Sequence, residues 1–527
     1  MSISSAVFLL FLAFCVAGYY LAPKKQRYLV LLGASVCFYL AYSVRAAVYL
    51  LITICITYGC GVLLGQSHRD EKTALAEETA DKKTVKQAYK HKRRVLLTSV
   101  LVLNFATLAF FKYLNSWLMS LGVMLSLTGV TFSFRPLNLL IPVGISFYIF
   151  QTAGYLIDVY RGRQEPEKNV LKYALFVCYF PQMIQGPINR FNKLHVQLVQ
   201  GNDFNADNLK YGIQLMIWGM LKKVFLADPL AGAVEEAYTN FTAYPGAVAF
   251  LGAALYCVQL YCDFSGGTDL VRGVSQLFGV EMSENFRRPY FARSVDEFWR
   301  RWHMSLGDWM KDYLFYPLAL SGSLNRVGKT ARKYLGAYIG KLTVPCVSTL
   351  IVFLVVGIWQ GPGWSNIAYG LWNGGLMSLA MVCQKPFGAV RERLGVSDEK
   401  WWFRVFQIAR TCLLVIIGRY FSRSDSLYQA LRMIWRTVRY FGQGGLTLAT
   451  LTCFGLTGAD WIGILIAGGV LLTVSVLQEQ GVRIRKSLDK MPWFIQFILL
   501  FTAVLLLVVC VYLNTDYISI AYVYENV

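Results

Sequence analysis

The chain has 527 residues, 56% of them hydrophobic, with 51 Lys and Arg against 30 Asp and Glu, giving a formal charge of +21. Repeated apolar runs approaching the roughly 20 residues that a helix needs to cross a bilayer exclude an ordinary soluble globule. The basic residues sit in short loops between those runs, the distribution that orients membrane helices, so the charge argues for a membrane and against nucleic-acid binding.

The runs are rich in Leu, Val, Ala and Gly without period-2 alternation, so helices are the expected spans and the predicted class is an all-α polytopic membrane protein. Spans are expected near 5–22, 28–42, 46–65, 96–118, 138–160, 170–187, 209–227, 245–262, 337–358, 364–383, 403–420, 460–477 and 493–513. With some of these as half-spans, about eleven cross the membrane. The first run, Val7 to Leu21, lacks a basic n-region and a small-residue cleavage site, so it reads as a retained helix. Lys24, Lys25 and Arg27 follow it, and the 66–95 segment after the third span carries nine further basic residues from Arg69 to Arg94. Both are predicted cytoplasmic, which puts the N-terminus outside. Because 66–95 also holds Asp70, Glu71, Glu77, Glu78 and Asp81, it reads as a basic cytoplasmic loop, either a solvated helix or a linker. The twelve cysteines are scattered through apolar runs with no Cys-x-x-Cys pair, the pattern of small buried hydrophobes; no metal site is expected. There is no internal repeat or separate soluble domain, and residues 1–527 read as one unit.

Two stretches break the pattern of spans. Phe180-Pro181 to Gly186-Pro187 places two prolines and a glycine in apolar surroundings, where a continuous helix would lose hydrogen bonds, so 180–187 is expected to be broken or re-entrant. Residues 293–316 are too charged to cross lipid and too aromatic for a solvated loop. On one helix Trp299, Trp302, His303, Leu306, Met310 and Tyr313 would share a face, which predicts an amphipathic helix bearing His303.

Of the four histidines, His68, His91 and His195 lie in polar connectors, whereas His303 sits among aromatics in a membrane protein, where an ionisable group is a functional candidate. Tyr261 to Asp269 ends an apolar run with two carboxylates, a hydroxyl and paired glycines; Asp263 could pair with an arginine, orient a histidine, or merely cap the helix. Gly357-Ile358-Trp359-Gln360-Gly361-Pro362-Gly363-Trp364 describes a helix break with close backbone approach between tryptophans.

In order and spacing, Pro142 to Tyr148, Asp158 to Arg161, Phe180-Pro181 to Gly186-Pro187, Asp263 to Gly266, Glu284 to Tyr290, Glu297 to His303 and Asp312 to Leu314 resemble the membrane-bound O-acyltransferase (MBOAT) family, in particular its bacterial alginate O-acetylation branch. The resemblance implies a ring of membrane helices around a central acyl-transfer tunnel in a bacterial cytoplasmic membrane. It implies acetyl-CoA as donor substrate with no bound cofactor, an exported polysaccharide as acceptor, and an extracytoplasmic acetyltransferase as partner. By the same resemblance His303 lies in the tunnel, Trp299, Trp302 and Trp359 shape its constriction, and Asp263 with Arg300 or Arg301 gives polar support.

The main departure is Gln360, where relatives carry the histidine assigned as base; Asn373 stands where some carry another. A glutamine amide can hydrogen-bond but cannot titrate near neutrality, and losing a placed general base costs about 100-fold to 10,000-fold in rate. The chain is therefore read as an O-acetyltransferase by family, impaired or altered at Gln360. The alternatives are a teichoic-acid D-alanylation component, a catalytically silent acyl channel or scaffold for polysaccharide export, and, less in keeping with the absence of an inverted repeat, a secondary transporter.

Overall fold

Every regular element is helical among the residues that the computed structural model describes, which are 5–77, 81–128, 134–137, 139, 142–443, 451–452, 454–513 and 522. In chain order the helices are α1 (Ala6–Leu21), α2 (Arg27–Tyr42), α3 (Val44–Ala76), α4 (Lys82–Ser126), α5 (Ile145–Tyr160), α6 (Val170–Cys178), α7 (Phe180–Gln185), α8 (Phe191–Val199), α9 (Ala206–Lys222), α10 (Asp228–Thr239) and α11 (Gly246–Leu277). They continue with α12 (Val295–Arg301), α13 (Met304–Met310), α14 (Tyr316–Ala319), α15 (Gly322–Gln360), α16 (Trp364–Arg393), α17 (Trp401–Arg423), α18 (Leu427–Arg439), α19 (Gly458–Glu479), α20 (Ile484–Leu488) and α21 (Trp493–Val508).

Among the described residues seven helices are long and apolar enough to cross a membrane: α3, α4, α11, α15, α17, α19 and the Trp493–Val511 stretch. α1 is apolar but shorter, and other expected spans fall in α2, α5, α6 and α9, each of 17 residues or fewer. The expected 138–160 span is helical from Ile145; residues 138, 140 and 141 lie outside the described set. So do Glu78 and Cys453, while the other eleven cysteines are free thiols. None of the Trp493–Val511 window is buried by protein, whereas most of the α11 window is. An apolar helix with no protein around it needs lipid on its faces.

The chain divides into two compact units, one of Met1–Met216, Thr268–Ser283 and Tyr522–Val527, the other of Ile217–Gly267 and Glu284–Ala521. In the first, the expected 66–95 loop is largely helical, since α3 runs to Ala76 and α4 starts at Lys82 after an Asp81 cap. Arg93 on α4 pairs with Glu71 on α3 at 2.6 Å and donates to the Ser67 carbonyl at 3.3 Å, so charges that look solvated in the sequence join two helices. The centre of this unit is α5, with thirteen of its sixteen residues buried. Gly144 starts it at φ 71°, and a Cβ there would stand 2.6 Å from the Met183 carbonyl oxygen, so both conformation and space demand glycine. The apolar run over 170–187 divides into α6 and α7 at Tyr179, with Pro181 in the first turn of α7. The Phe180 N–H released by the break donates to Ser35 Oγ at 3.1 Å, and Gln151 and Gln182 exchange amide hydrogen bonds of 2.9 and 3.2 Å.

In the second unit α15 is two helices joined at Gly336 (φ 85°), a basic segment before it and the apolar 337–360 segment after it. The apolar part lies backbone to backbone against α16: a Cβ on Gly357 would meet Asn366 O at 2.4 Å, and one on Gly370 would meet Phe353 O at 2.3 Å. Close helix approach through small residues is the usual packing solution in lipid, where water does not drive helices together.

Candidate functional site

The helix expected across 293–316 is interrupted at the histidine. Ser294 caps α12, its hydroxyl accepting the Glu297 N–H at 3.1 Å, and the helix gives way at Trp302 to extended conformation. His303 then adopts φ 46°, ψ 53°, and α13 starts at Met304. A left-handed residue with a side chain costs about 1–2 kcal/mol. The offset comes from residues 285–287, which run antiparallel beside the turn: Met304 N–H donates to Asn285 O at 3.0 Å, Phe286 bridges Trp302, and Arg287 N–H donates to Arg301 O at 2.9 Å. Trp299, Trp302, His303 and Leu306 therefore do not form the single helical face that their spacing suggests.

The turn buries the imidazole to 3% exposure. Asn285, itself buried, takes the Ser305 backbone N–H at 3.1 Å and the Ser305 hydroxyl at 2.7 Å on its Oδ1, and the same atom lies 3.3 Å from His303 Nδ1. A backbone N–H can only donate, so that Asn285 atom is the oxygen, and Nδ1 must carry the proton it shares with it. Nε2 is then the nitrogen with the lone pair. The Phe264 ring stands edge-on to the imidazole at 4.8 Å and Trp359 lies 6.3 Å away. Burial holds the imidazole well below its ordinary range, which keeps the resting ring neutral with its Nε2 lone pair unprotonated.

Next to Phe264, Asp263 is paired, but with neither Arg300 nor Arg301. Lys223 Nζ reaches Asp263 Oδ1 at 2.6 Å and Asp228 Oδ1 at 2.9 Å, and Lys222 Nζ reaches Ser265 Oγ at 2.9 Å, with all five side chains buried. Two ammoniums and two carboxylates balance. A π-helical turn over Lys223–Ala227 carries the chain from α9 into α10 and brings Lys223 and Asp228 together. Arg300 instead points outward and pairs with Asp296 at 2.6 Å, its side chain 70% exposed. Arg301 bridges Glu297 and Glu479, and Arg288 joins the same Glu479. The seven residues of α12 turn Phe298 inward, Arg300 outward and Arg301 into a half-buried pair of carboxylates, so neither arginine meets Asp263 in the expected polar support of the histidine.

The tryptophans divide. Trp299 donates its indole N–H to Asn373 Oδ1 at 3.2 Å while Asn373 Nδ2 donates to Tyr369 O at 2.8 Å, so Asn373 links α12 to α16. Trp302 stacks on Phe298 and meets Phe286 edge-on, with the Arg419 guanidinium 4.9 Å above its ring. Arg419 is buried and donates to Tyr369 Oη at 3.1 Å. Trp359 is buried beside the imidazole. Gln360, half-buried, is the next residue and the last of α15, and Gly361 continues in extended backbone.

Sequence reasoning did not single out Asn285, Lys222, Lys223, Ser305 or Arg419. Adjacent lysines closing an apolar run are a usable signal, because ionisable groups at membrane depth seldom lack a role. Asn285 gives no such signal. Its importance comes from a pairing 18 residues away. Chemically the arrangement offers a neutral imidazole with a fixed tautomer, walled by aromatic rings and set beside a charge-balanced polar cluster. It can take a proton from a hydroxyl placed at Nε2. Among the described residues no group of three or more His, Cys, Asp or Glu could hold a metal ion.

The chain matches the family model described as MBOAT, membrane-bound O-acyltransferase family, over residues 164–335. It is 33% identical over 473 residues to a Pseudomonas syringae pv. tomato protein named "Probable alginate O-acetylase AlgI", covering 89% of this chain and 81% of that one. A Pseudomonas putida protein of the same name is 34% identical over 469 residues, covering 89% and 86%. The peptidoglycan O-acetyltransferase of Helicobacter pylori is 29% identical over 397 residues, covering 70% and 68%.

Proposed function

Because the chain belongs to the membrane-bound O-acyltransferase family, we propose that it transfers an acetyl group from acetyl-CoA to a hydroxyl of an exported envelope polysaccharide, with His303 as proton acceptor. In this reaction the acceptor hydroxyl oxygen attacks the thioester carbonyl carbon while His303 Nε2 takes its proton. The carbon–sulfur bond then breaks, and the departing CoA thiolate is protonated. The observation that carries the reading is the Asn285–Ser305 clamp, which fixes the proton on Nδ1 and aims a neutral imidazole's lone pair from Nε2. Acetyl is preferred to D-alanyl because the relatives aligned along most of the chain bear O-acetylation names. The active orientation puts the N-terminus outside a bacterial cytoplasmic membrane, and an extracytoplasmic acetyltransferase takes up the acetyl group or directs it to the polymer.

Gln360 sets the efficiency. Its amide can donate a hydrogen bond to the thioester oxygen but cannot accept the hydroxyl proton, so His303 works without a second titrating group and transfer is slow. A second reading also starts from Gln360: a silent acyl channel or scaffold in a polysaccharide export complex. Vesicles containing the purified chain, supplied with radiolabelled acetyl-CoA and the polymer made by the host cell, separate the two. Slow transfer by the parent that rises about 100-fold or more in Gln360→His and disappears in His303→Gln supports the enzyme. No transfer by either the parent or Gln360→His, together with loss of polymer export on deletion, supports the scaffold.

A further inference from the structure

In the second unit, three guanidiniums gather over an apolar hollow that the acyl-transfer chemistry does not use. A cavity of about 550 Å3 lies between α16, α17 and the chain entering α12, walled by Leu376, Leu379, Phe387 and Phe403 and ringed by Arg293, Arg391 and Arg410. One carboxylate, Asp398, stands against the three cations. Arg391 Nη1 donates to both of its oxygens, at 2.7 and 2.6 Å. Arg410 Nη2 donates to the backbone carbonyl of Arg293 at 2.8 Å; Asp398 feels the Arg293 charge at longer range, but among the described residues its direct ion pair is with Arg391. The walls and the rim thus call for different halves of one ligand, an apolar chain and an anion.

We propose that this cavity binds an anionic phospholipid, its phosphate held by Arg293 and Arg410 and an acyl chain lying along Leu376, Leu379 and Phe387. α17 is long and apolar enough to cross a membrane, and it opens with exposed Trp401 and Trp402, residue types that favour the headgroup layer; Arg410 stands nine residues on, about 13 Å deeper along the helix, so its long side chain has to reach back along the apolar surface toward a lipid phosphate. Arginine suits the task because its planar fork can give two hydrogen bonds to one phosphate. A soluble phosphate ester would satisfy the rim and leave the apolar walls wet. Ser294 and Val295 belong to the same lining; Ser294 caps and Val295 opens α12, whose far end leads through Trp302 into the His303 turn. A seated lipid therefore steadies the element that carries the imidazole. The proposal does not depend on which acyl group the protein transfers.

The test uses the full chain purified in detergent, with lipid binding followed by native mass spectrometry and thermal unfolding. Phosphatidylglycerol is titrated against phosphatidylcholine, with CoA and inorganic phosphate as separate arms. The expected result is that phosphatidylglycerol stays bound and raises Tm while phosphatidylcholine does neither. The double variant Arg293→Gln with Arg410→Gln weakens phosphatidylglycerol binding about tenfold or more. Arg393→Gln, which removes a charge outside the cavity lining, does not. Leu379→Trp, which fills the hollow and leaves every arginine in place, abolishes binding, and each variant's Tm in lipid-free detergent checks that it is folded. Equal binding of both lipids, or phosphatidylglycerol binding unchanged in the double variant and in Leu379→Trp, overturns the proposal. Displacement of phosphatidylglycerol by CoA or phosphate at this cavity overturns the lipid assignment and gives the site to a soluble phosphate, without touching the role of His303.

Discussion

Two buried polar sets lie close together along the chain and solve the same problem in opposite ways. At Lys222, Lys223, Asp228, Asp263 and Ser265, charges are kept and cancelled within the cluster. At His303 the charge is removed: burial holds the ring neutral, and one amide oxygen accepts from two Ser305 donors and from Nδ1. Phe264, whose sequence neighbours Asp263 and Ser265 belong to the first set, packs its ring on the second. The contrast separates support from chemistry. An ion pair whose partners cancel each other holds the fold together, whereas a neutral imidazole with a fixed tautomer presents a defined lone pair to a substrate proton.

Substitutions can break this contrast, and the largest effect is expected at the ring. His303→Gln puts a hydrogen-bonding amide in place of the imidazole and removes the titrating group, so acetyl transfer measured in vesicles should fall about 100-fold to 10,000-fold. A smaller drop would move the proton acceptor elsewhere. On the charged side, Lys223→Met leaves two carboxylates facing each other and should cost about 3–5 kcal/mol in detergent unfolding, part of which returns when Asp263→Asn is added. If Lys223→Met instead unfolds like the parent and loses only activity, the cluster takes part in the reaction and the division fails.

Asn285→Leu strands the Ser305 donors and should cost about 1–3 kcal/mol. Asn285→Asp is sharper, because a carboxylate beside Nδ1 favours the protonated imidazole. The acid limb of the pH–rate profile should therefore move to higher pH, a shift that a purely structural role would not produce. In the parent the sign is the reverse of a stabilised cation. The folded imidazole lies below its ordinary value of 6.5, so stability is unaffected above that pH and falls below it, as the unfolded chain gains a proton that the folded chain refuses. The slope from this one group approaches about 1.4 kcal/mol per pH unit, read as the Tm difference between the parent and His303→Gln across pH 5 to 7. The smallest effect belongs to Arg300→Ala, whose exposed pair with Asp296 should shift stability by no more than about 0.5 kcal/mol and leave transfer unchanged.

Much of the architecture was legible because lipid forces simple patterns. The apolar half of α15 starts after Gly336, where the expected 337–358 span begins, and the prolines around 180–187 mark the division between α6 and α7. Local periodicity misled at 299–306, since Trp299, Trp302, His303 and Leu306 have helical spacing across a residue that is left-handed. Nothing local shows this, because the turn is held by Asn285, Phe286 and Arg287 from elsewhere in the chain. Arg300 and Arg301 looked like partners of Asp263 for the same reason, and a seven-residue helix sends Arg300 to the surface and Arg301 to Glu297 and Glu479. The 66–95 segment, read from composition as a solvated helix or a linker, holds two helix ends joined by a pair that spans 22 residues, Glu71 with Arg93, which composition alone does not show.

The contact between Gly357 and Gly370 fixes a dimension of the site by leaving atoms out. Trp359, against the imidazole, stands two residues beyond one glycine, and Asn373, holding the Trp299 indole, stands three beyond the other. Neither helix can take even a methyl group at the contact without moving back. Whatever fits beside His303 is thus gauged, in part, by two hydrogen atoms a few ångströms behind the wall.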